Sequence, residues 1–179
     1  MSVMNTFSGK KFDPMHMNSE DVSLEDLAHA LSLLCRGGGH LKYFYSVGQH
    51  SINCMKEARA RGWSKRIQFA CLLHDASEAY IADIIRPVKV HLSEYYNIEN
   101  KIMACIFDKF GLDDLNEEEN SRWKQIDDEI LDCELRELMI GEKDRHVKSL
   151  ESVPDMTERN WKDVAEEFKT LAESLIKEK

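Results

Sequence analysis

The stretch LLHDASEAYIADIIRPVK, residues 72–89, places four ionisable side chains in a run that is otherwise largely apolar: His74, Asp75, Glu78 and Asp83. The surrounding Leu, Ala, Ile and Tyr residues are typical of a buried helix. A buried carboxylate is strongly destabilising unless it is paired or binds a metal. The stretch therefore has either one solvated face or a functional site.

Helical spacing groups these side chains. We predict one helix over residues 65–81, on which steps of three and four positions place four residues on the same face: Cys71, His74, Asp75 and Glu78. The other faces of this helix are also apolar. We therefore expect the helix to be buried nearly all round, so that its polar stripe must be satisfied inside the protein.

Capping residues and glycines elsewhere in the chain predict an all-α helical bundle. Only three prolines interrupt the sequence, and glycines lie where helices would end. We assign neither helix nor strand to the mixed segment 142–155. The predicted helices cover residues 24–35, 47–61, 65–81, 93–110, about 117–139 and an amphipathic segment after residue 157, with a loop over residues 82–92.

Two further ionisable residues occupy inward positions on their predicted helices. His50 has Val47 three residues before it and Cys54 four residues after it. Asp127 has aromatic and aliphatic residues one turn away in both directions, whereas the adjacent Asp128 has charged ones. Helical phase therefore predicts that Asp127 faces the core and that Asp128 faces solvent.

The inward residues His50, His74, Asp75 and Asp127 come from three predicted helices and can form one metal site. Two imidazoles and two carboxylates suit a single divalent ion such as Mn, Co, Fe, Zn or Mg, with positions left for water and substrate. Such an ion lowers the pKa of water and neutralises phosphoryl charge. Glu78, one turn from both His74 and Asp75, is placed to handle the proton. The set predicts a hydrolytic centre.

Length and composition indicate one domain over residues 1–179. They also disfavour nucleic acid and membranes as partners. The formal net charge of −9 disfavours a general nucleic-acid binder. Five cysteines without a C-x-x-C pair indicate a reducing, cytoplasmic setting. The first residues lack the apolar core of a signal peptide, and no run approaches the roughly 18 apolar residues of a membrane span. We expect a cytoplasmic protein with no membrane partner.

The ordered ligand set resembles the HD-domain phosphohydrolase superfamily, which has a His, then a His-Asp pair, then an Asp on successive helices. Three blocks carry the resemblance: residues 30–51, 72–89 and 123–134. They are most similar to the branch that contains bacterial 5'-deoxynucleotidases and small phage deoxynucleoside triphosphate hydrolases. The resemblance implies an HD-type helical bundle, a metal-dependent phosphohydrolase activity on a small-molecule nucleotide, and a homo-oligomer.

The same resemblance implies roles for residues around the metal. Glu78 and Asp83 would serve in acid/base catalysis and water positioning, and Arg36, Lys89 and Lys124 would be cations on the phosphate side. Helical spacing agrees for Lys124, which lies three residues before the predicted ligand of the fifth helix.

Several alternatives remain open at this point. His74 and Asp75 could form only a structural hydrogen-bonded pair, Glu78 could only support the ligands, and Arg36 could only cap the first helix. The chain could also be a regulatory HD module that binds nucleotide without turnover. The sequence does not distinguish a monophosphate from a triphosphate substrate.

Overall fold

A computed structural model of the protein describes residues 3–177 and confirms the all-α fold class. No helix in this part of the chain combines the length and apolar character that a membrane crossing requires. A two-stranded antiparallel hairpin, β1 (Met4–Asn5) and β2 (Lys11–Phe12), precedes the helices. The helices are α1 (Leu24–Leu33), α2 (Val47–Ala60), α3 (Lys65–Leu73), α4 (Glu78–Ile81), α5 (Arg86–Lys89), α6 (Ser93–Lys109), α7 (Glu117–Leu138) and α8 (Trp161–Lys177).

Side-chain caps begin four of these helices. Ser23, Ser46 and Ser64 each accept a hydrogen bond from the backbone N–H three residues later, as their sequence positions predict. Asn116 does the same at the start of α7. Ser93 is the first residue of α6, as predicted, and Leu92 precedes it without a side-chain cap.

The helix predicted over residues 65–81 is wrong in one respect, because it is broken after Leu73. His74 Nδ1 donates to the carbonyl of Cys71 at 2.8 Å, and this carbonyl would otherwise accept the next helical hydrogen bond. Tight turns follow, and α4 begins at Glu78. His74 and Asp75 therefore project from the end of α3 rather than from the middle of a long helix. The predicted loop over residues 82–92 likewise contains the short helix α5.

α2 and α3 pack against each other at the centre of the fold, and α1, α7 and α8 surround them. Gly48 lies where α2 approaches α1 most tightly. A Cβ atom at this position would lie 3.1 Å from Ser32 Oγ and 3.2 Å from Ser32 N. The missing side chain lets α2 sit directly on α1, which fixes the position of His50 two residues later.

A second face of α2 binds the last residues of the mixed segment 142–155. Glu57 is fully buried and accepts hydrogen bonds from the backbone N–H groups of Glu151 and Ser152. Asn53, one turn earlier, bonds to both the N–H and the carbonyl of Asp155. The backbone N–H and C=O groups of this irregular segment thus find hydrogen-bond partners on side chains of α2, as buried polar groups require.

We predict that Gly48→Ala lowers the free energy of unfolding by about 1–3 kcal/mol, because the added methyl group overpacks the contact with the backbone of Ser32. Urea unfolding followed by circular dichroism measures the change. Ala60→Ser, at an exposed position of the same helix, is the control and should be near neutral. Equal stability of Gly48→Ala and the control would contradict the tight approach.

Candidate metal centre

The structure brings the four predicted ligands together at one point. His50 from α2, His74 and Asp75 from the end of α3, and Asp127 from α7 converge there. His50 Nε2 lies 3.2 Å from His74 Nε2, 3.1 Å from Asp127 Oδ1 and 3.8 Å from Asp75 Oδ2. His74 Nε2 lies 3.3 Å from Asp75 Oδ2 and 3.5 Å from Asp127 Oδ1.

Hydrogen bonds on the far side of each imidazole fix its orientation. A backbone carbonyl can only accept, so His74 Nδ1 must donate to Cys71 O. His50 Nδ1 likewise donates to the carboxylate of Glu134 at 2.7 Å. Both Nε2 atoms then present lone pairs to each other and to two carboxylates when the imidazoles are neutral. This concentration of electron pairs requires a positive charge between them.

The pKa values of the two imidazoles and the two aspartates shift in directions that agree with a positive charge at this point. Burial opposes protonation of both imidazoles, but Glu134 and Asp127 raise the pKa of His50, and Asp75 and Asp127 raise the pKa of His74 well above its usual value. Burial also opposes ionisation of the two aspartates, yet His74 and Arg36 lower the pKa of Asp75, and both imidazoles lower the pKa of Asp127. The cluster therefore favours two ionised carboxylates and a cation, either a proton or a metal, on the imidazole side.

Solvent reaches the cluster from one side. The side chains of His50 and His74 are 0% and 2% exposed, whereas those of Asp75 and Asp127 are 21% and 22% exposed. The imidazoles form a buried floor and the carboxylates form a rim. Water or a ligand can approach a bound ion across this rim.

Cys54 is a further donor close to the floor. Its Sγ lies 3.5 Å from His50 Nε2, and the donor atoms of His50, Cys54 and His74 lie within 4.8 Å of one another, a grouping that could hold a metal ion. Burial, followed by Asp127, raises the pKa of Cys54 well above its ordinary value. A metal ion would have to displace the proton of this thiol, whereas the environment already favours ionised carboxylates at Asp75 and Asp127.

Arg36 joins the cluster from the turn that follows α1. Its Nη1 donates to Asp75 Oδ2 at 3.0 Å, and its Nε lies 3.3 Å from Glu134 Oε2. The guanidinium is thus engaged with two carboxylates near the imidazoles. It therefore contacts Asp75, one of the four predicted ligands.

Glu78 is buried beside the rim. Its Oε2 has no hydrogen-bond partner among residues 3–177, and the residue is 4% exposed. Burial, then the charges of Asp75 and Asp83, raise the pKa of Glu78 well above its usual value. This environment therefore favours the protonated form of Glu78. Asp83 lies two residues after α4 and is half-buried.

The two predicted lysines lie around the cluster rather than in it. Lys89 Nζ pairs with Glu99 at 2.5 Å, and its charge still acts on Glu78 and Asp75. Lys124 is exposed, with its Nζ 5.4 Å from the ring centre of Trp123. The Trp123 ring in turn lies 5.8 Å from the ring of His74.

Glu134 is the site residue that the sequence analysis missed. It is 2% exposed and contacts both His50 and Arg36. A signal was present, because Glu134 follows Asp127 by seven residues and so lies two turns along the same face of α7. Tyr45, whose hydroxyl donates to Glu134 Oε1, had no such signal, because it precedes α2 in an irregular segment.

Comparisons with known proteins find relatives without a described activity. No protein-family model matches the chain. The uncharacterized protein YfdR of Escherichia coli is 43% identical over 112 residues, which cover 63% of this chain and 60% of the relative. An uncharacterized protein of Rhodobacter capsulatus is 35% identical over 111 residues, which cover 59% of this chain and 56% of the relative. The chain thus spans little more than half the length of the curated relatives it matches.

The geometry yields a paired prediction on α7. Asp127→Asn should weaken the affinity for a divalent ion at least about tenfold, since changes of residues that only support ligands already cost roughly 10- to 100-fold. The matched control is Asp128→Asn, because the Asp128 side chain is 62% exposed and pairs with the exposed Arg86. Mn²⁺ titration monitored by electron paramagnetic resonance measures both affinities. The reverse ranking would contradict the assignment.

Proposed function

We propose that the protein is a divalent-metal-dependent phosphohydrolase of the HD type that acts on a nucleotide, as a 5'-deoxynucleotidase or a deoxynucleoside triphosphate hydrolase. The observation that carries the proposal is the convergence of two imidazole Nε2 atoms, 3.2 Å apart, with two carboxylates. The negative charge of these carboxylates complements the positive charge of a metal ion. A structural hydrogen-bonded pair of His74 and Asp75 would not account for the convergence of His50 and Asp127 on the same point.

The donor set fits a borderline or hard divalent cation. His50, His74, Asp75 and Asp127 would hold it with two nitrogen and two oxygen donors, which suits Mn, Co, Fe, Zn or Mg. When bound, such an ion supplies Lewis-acid chemistry, because it lowers the pKa of water and draws charge from a phosphoryl oxygen. The solvent-facing carboxylate rim leaves an approach for both reactants.

Cations around the rim support a phosphorylated substrate. Arg36 places a guanidinium beside Asp75, where a phosphoryl oxygen can share it. Lys89 and Lys124 add positive charge farther out. The net charge of −9 disfavours long polyanions, so a small nucleotide is the better substrate class. The nucleotide class itself comes from the resemblance to the HD-domain branch.

Glu78 is placed to supply the proton. It is buried, its Oε2 has no partner among residues 3–177, and its pKa is raised well above the usual value, which favours the protonated form. A protonated carboxyl can donate to the leaving oxygen of a phosphoester as that oxygen gains negative charge. Asp83 raises the pKa of Glu78, so its charge helps Glu78 to keep the proton until it is needed.

The test of the proposal is turnover of a nucleotide panel by metal-loaded protein. The protein, loaded separately with Mn, Co, Fe, Zn and Mg, is assayed on nucleoside mono- and triphosphates, and released phosphate, pyrophosphate and triphosphate are distinguished. We expect metal-dependent release of one of these products. His74→Ala and Asp75→Ala should abolish both metal content and turnover, whereas Asp128→Asn should keep both.

Two outcomes would contradict this function. Full metal occupancy and unchanged turnover in Asp75→Ala would show that the cluster is not the catalytic metal site. Tight nucleotide binding without any product, with every metal, would indicate a regulatory module instead.

A separate variant isolates proton transfer. Glu78→Gln keeps the shape of the side chain but removes the acid, so we expect kcat to fall by about 10²- to 10⁴-fold. Metal affinity and binding of a non-hydrolysable substrate analogue should stay near the wild-type values, because the lost interaction acts in the transition state. Recovery of full turnover on adding excess metal would instead assign Glu78 to ligand support.

A further inference from the structure

Glu134 is a buried carboxylate to which the proposed reaction assigns no role. It lies on α7 and is 2% exposed, yet its two oxygens meet three donor groups. Oε1 accepts hydrogen bonds from the Tyr45 hydroxyl and from His50 Nδ1, both at 2.7 Å. Oε2 lies 3.3 Å from Arg36 Nε. Its contacts therefore gather three segments of the chain around one side chain.

The hydrogen bond from His50 Nδ1 to Glu134 determines which nitrogen of that imidazole is free to bind a metal. A carboxylate on Nδ1 holds the proton there and leaves the Nε2 lone pair directed at the cluster. It also makes the imidazole a stronger donor to a cation. Without this acceptor, His50 could place its proton on Nε2, where Asp127 Oδ1 at 3.1 Å would accept it. That tautomer cannot bind a metal through Nε2.

The contact with Arg36 extends the effect to a second ligand. Arg36 bridges Glu134 Oε2 and Asp75 Oδ2, so its guanidinium is held between two carboxylates. If Glu134 lost its charge, the buried guanidinium of Arg36 would keep Asp75 as the charged one of these two partners. Arg36 would then compete more strongly with a metal ion for the Asp75 carboxylate. Asp75 would become a poorer metal ligand.

We infer that Glu134 is a positioning residue of the metal centre, which fixes the tautomer and direction of His50 and, through Arg36, the availability of Asp75. The inference rests on the proposed function, because it requires a metal at the cluster. A merely structural ion pair would affect stability alone. A positioning residue also changes the affinity for metal and the tautomer of His50.

The experiment compares Glu134→Gln with Glu137→Gln on the full chain. Glu137 lies three residues later on α7 with its side chain 52% exposed, so it serves as the matched control. We expect Glu134→Gln to weaken Co²⁺ binding by roughly 10- to 100-fold in a chelator competition. We expect Glu137→Gln to stay within about twofold, since surface changes have small effects. Glu134→Asp should recover part of the affinity, because it restores the charge.

A measurement on the wild-type chain keeps the inference testable if Glu134→Gln fails to fold. Nitrogen-15 NMR of the metal-free protein, at a pH where His50 is neutral, reports which nitrogen of His50 carries the proton. We expect the proton on Nδ1, and a proton on Nε2 would overturn the inference. Equal Co²⁺ affinities of folded Glu134→Gln and wild type would overturn it as well.

These experiments distinguish failure of the proposed function from failure of the proposed role of Glu134. Metal-loaded wild type that hydrolyses no nucleotide would contradict the proposed function, while the comparison of Co²⁺ affinities would still decide the role of Glu134. Normal hydrolysis together with equal affinities would contradict the role of Glu134 alone.

Discussion

Two imidazole nitrogens that face each other at 3.2 Å set the central constraint on this fold. His50 and His74 are both oriented from behind, by Glu134 and by the Cys71 carbonyl, so neither ring can turn its lone pair away without losing a buried hydrogen bond. Repulsion between the lone pairs must be relieved by a cation. The packing of α2 against α3, and of α7 against both, brings these groups to one point.

The helices that carry the cluster are anchored on their other faces. α2 presents His50 to the cluster while Gly48 lets it lie directly on α1, and Asn53 and Glu57 bind the backbone of the irregular segment 151–155. α7 presents Asp127 and Glu134 two turns apart on one face. A rigid support of this kind is what a site with several buried charges needs, because small displacements would leave a charge without its partner.

Local sequence signals predicted the helices and most of the cluster, and non-local contacts account for what they missed. Serine caps and helical phase act within one turn, so the start of α2 and the choice of Asp127 over Asp128 were predictable. The break after Leu73 depends on a side-chain hydrogen bond of His74 that propensity does not encode. Helical spacing places Glu134 on the same face as Asp127, but the donors that it binds lie 84 to 98 residues away in sequence, and no local pattern reveals them.

The central claim is that one divalent ion binds between the imidazoles and the aspartates, and anomalous diffraction from crystals of the protein soaked in Mn²⁺ tests it most directly. The account predicts a single strong anomalous peak within about 2.0–2.3 Å of His50 Nε2, His74 Nε2 and an oxygen each of Asp75 and Asp127. No peak at this point, or an ion bound by Cys54 Sγ in place of the two carboxylates, would contradict it.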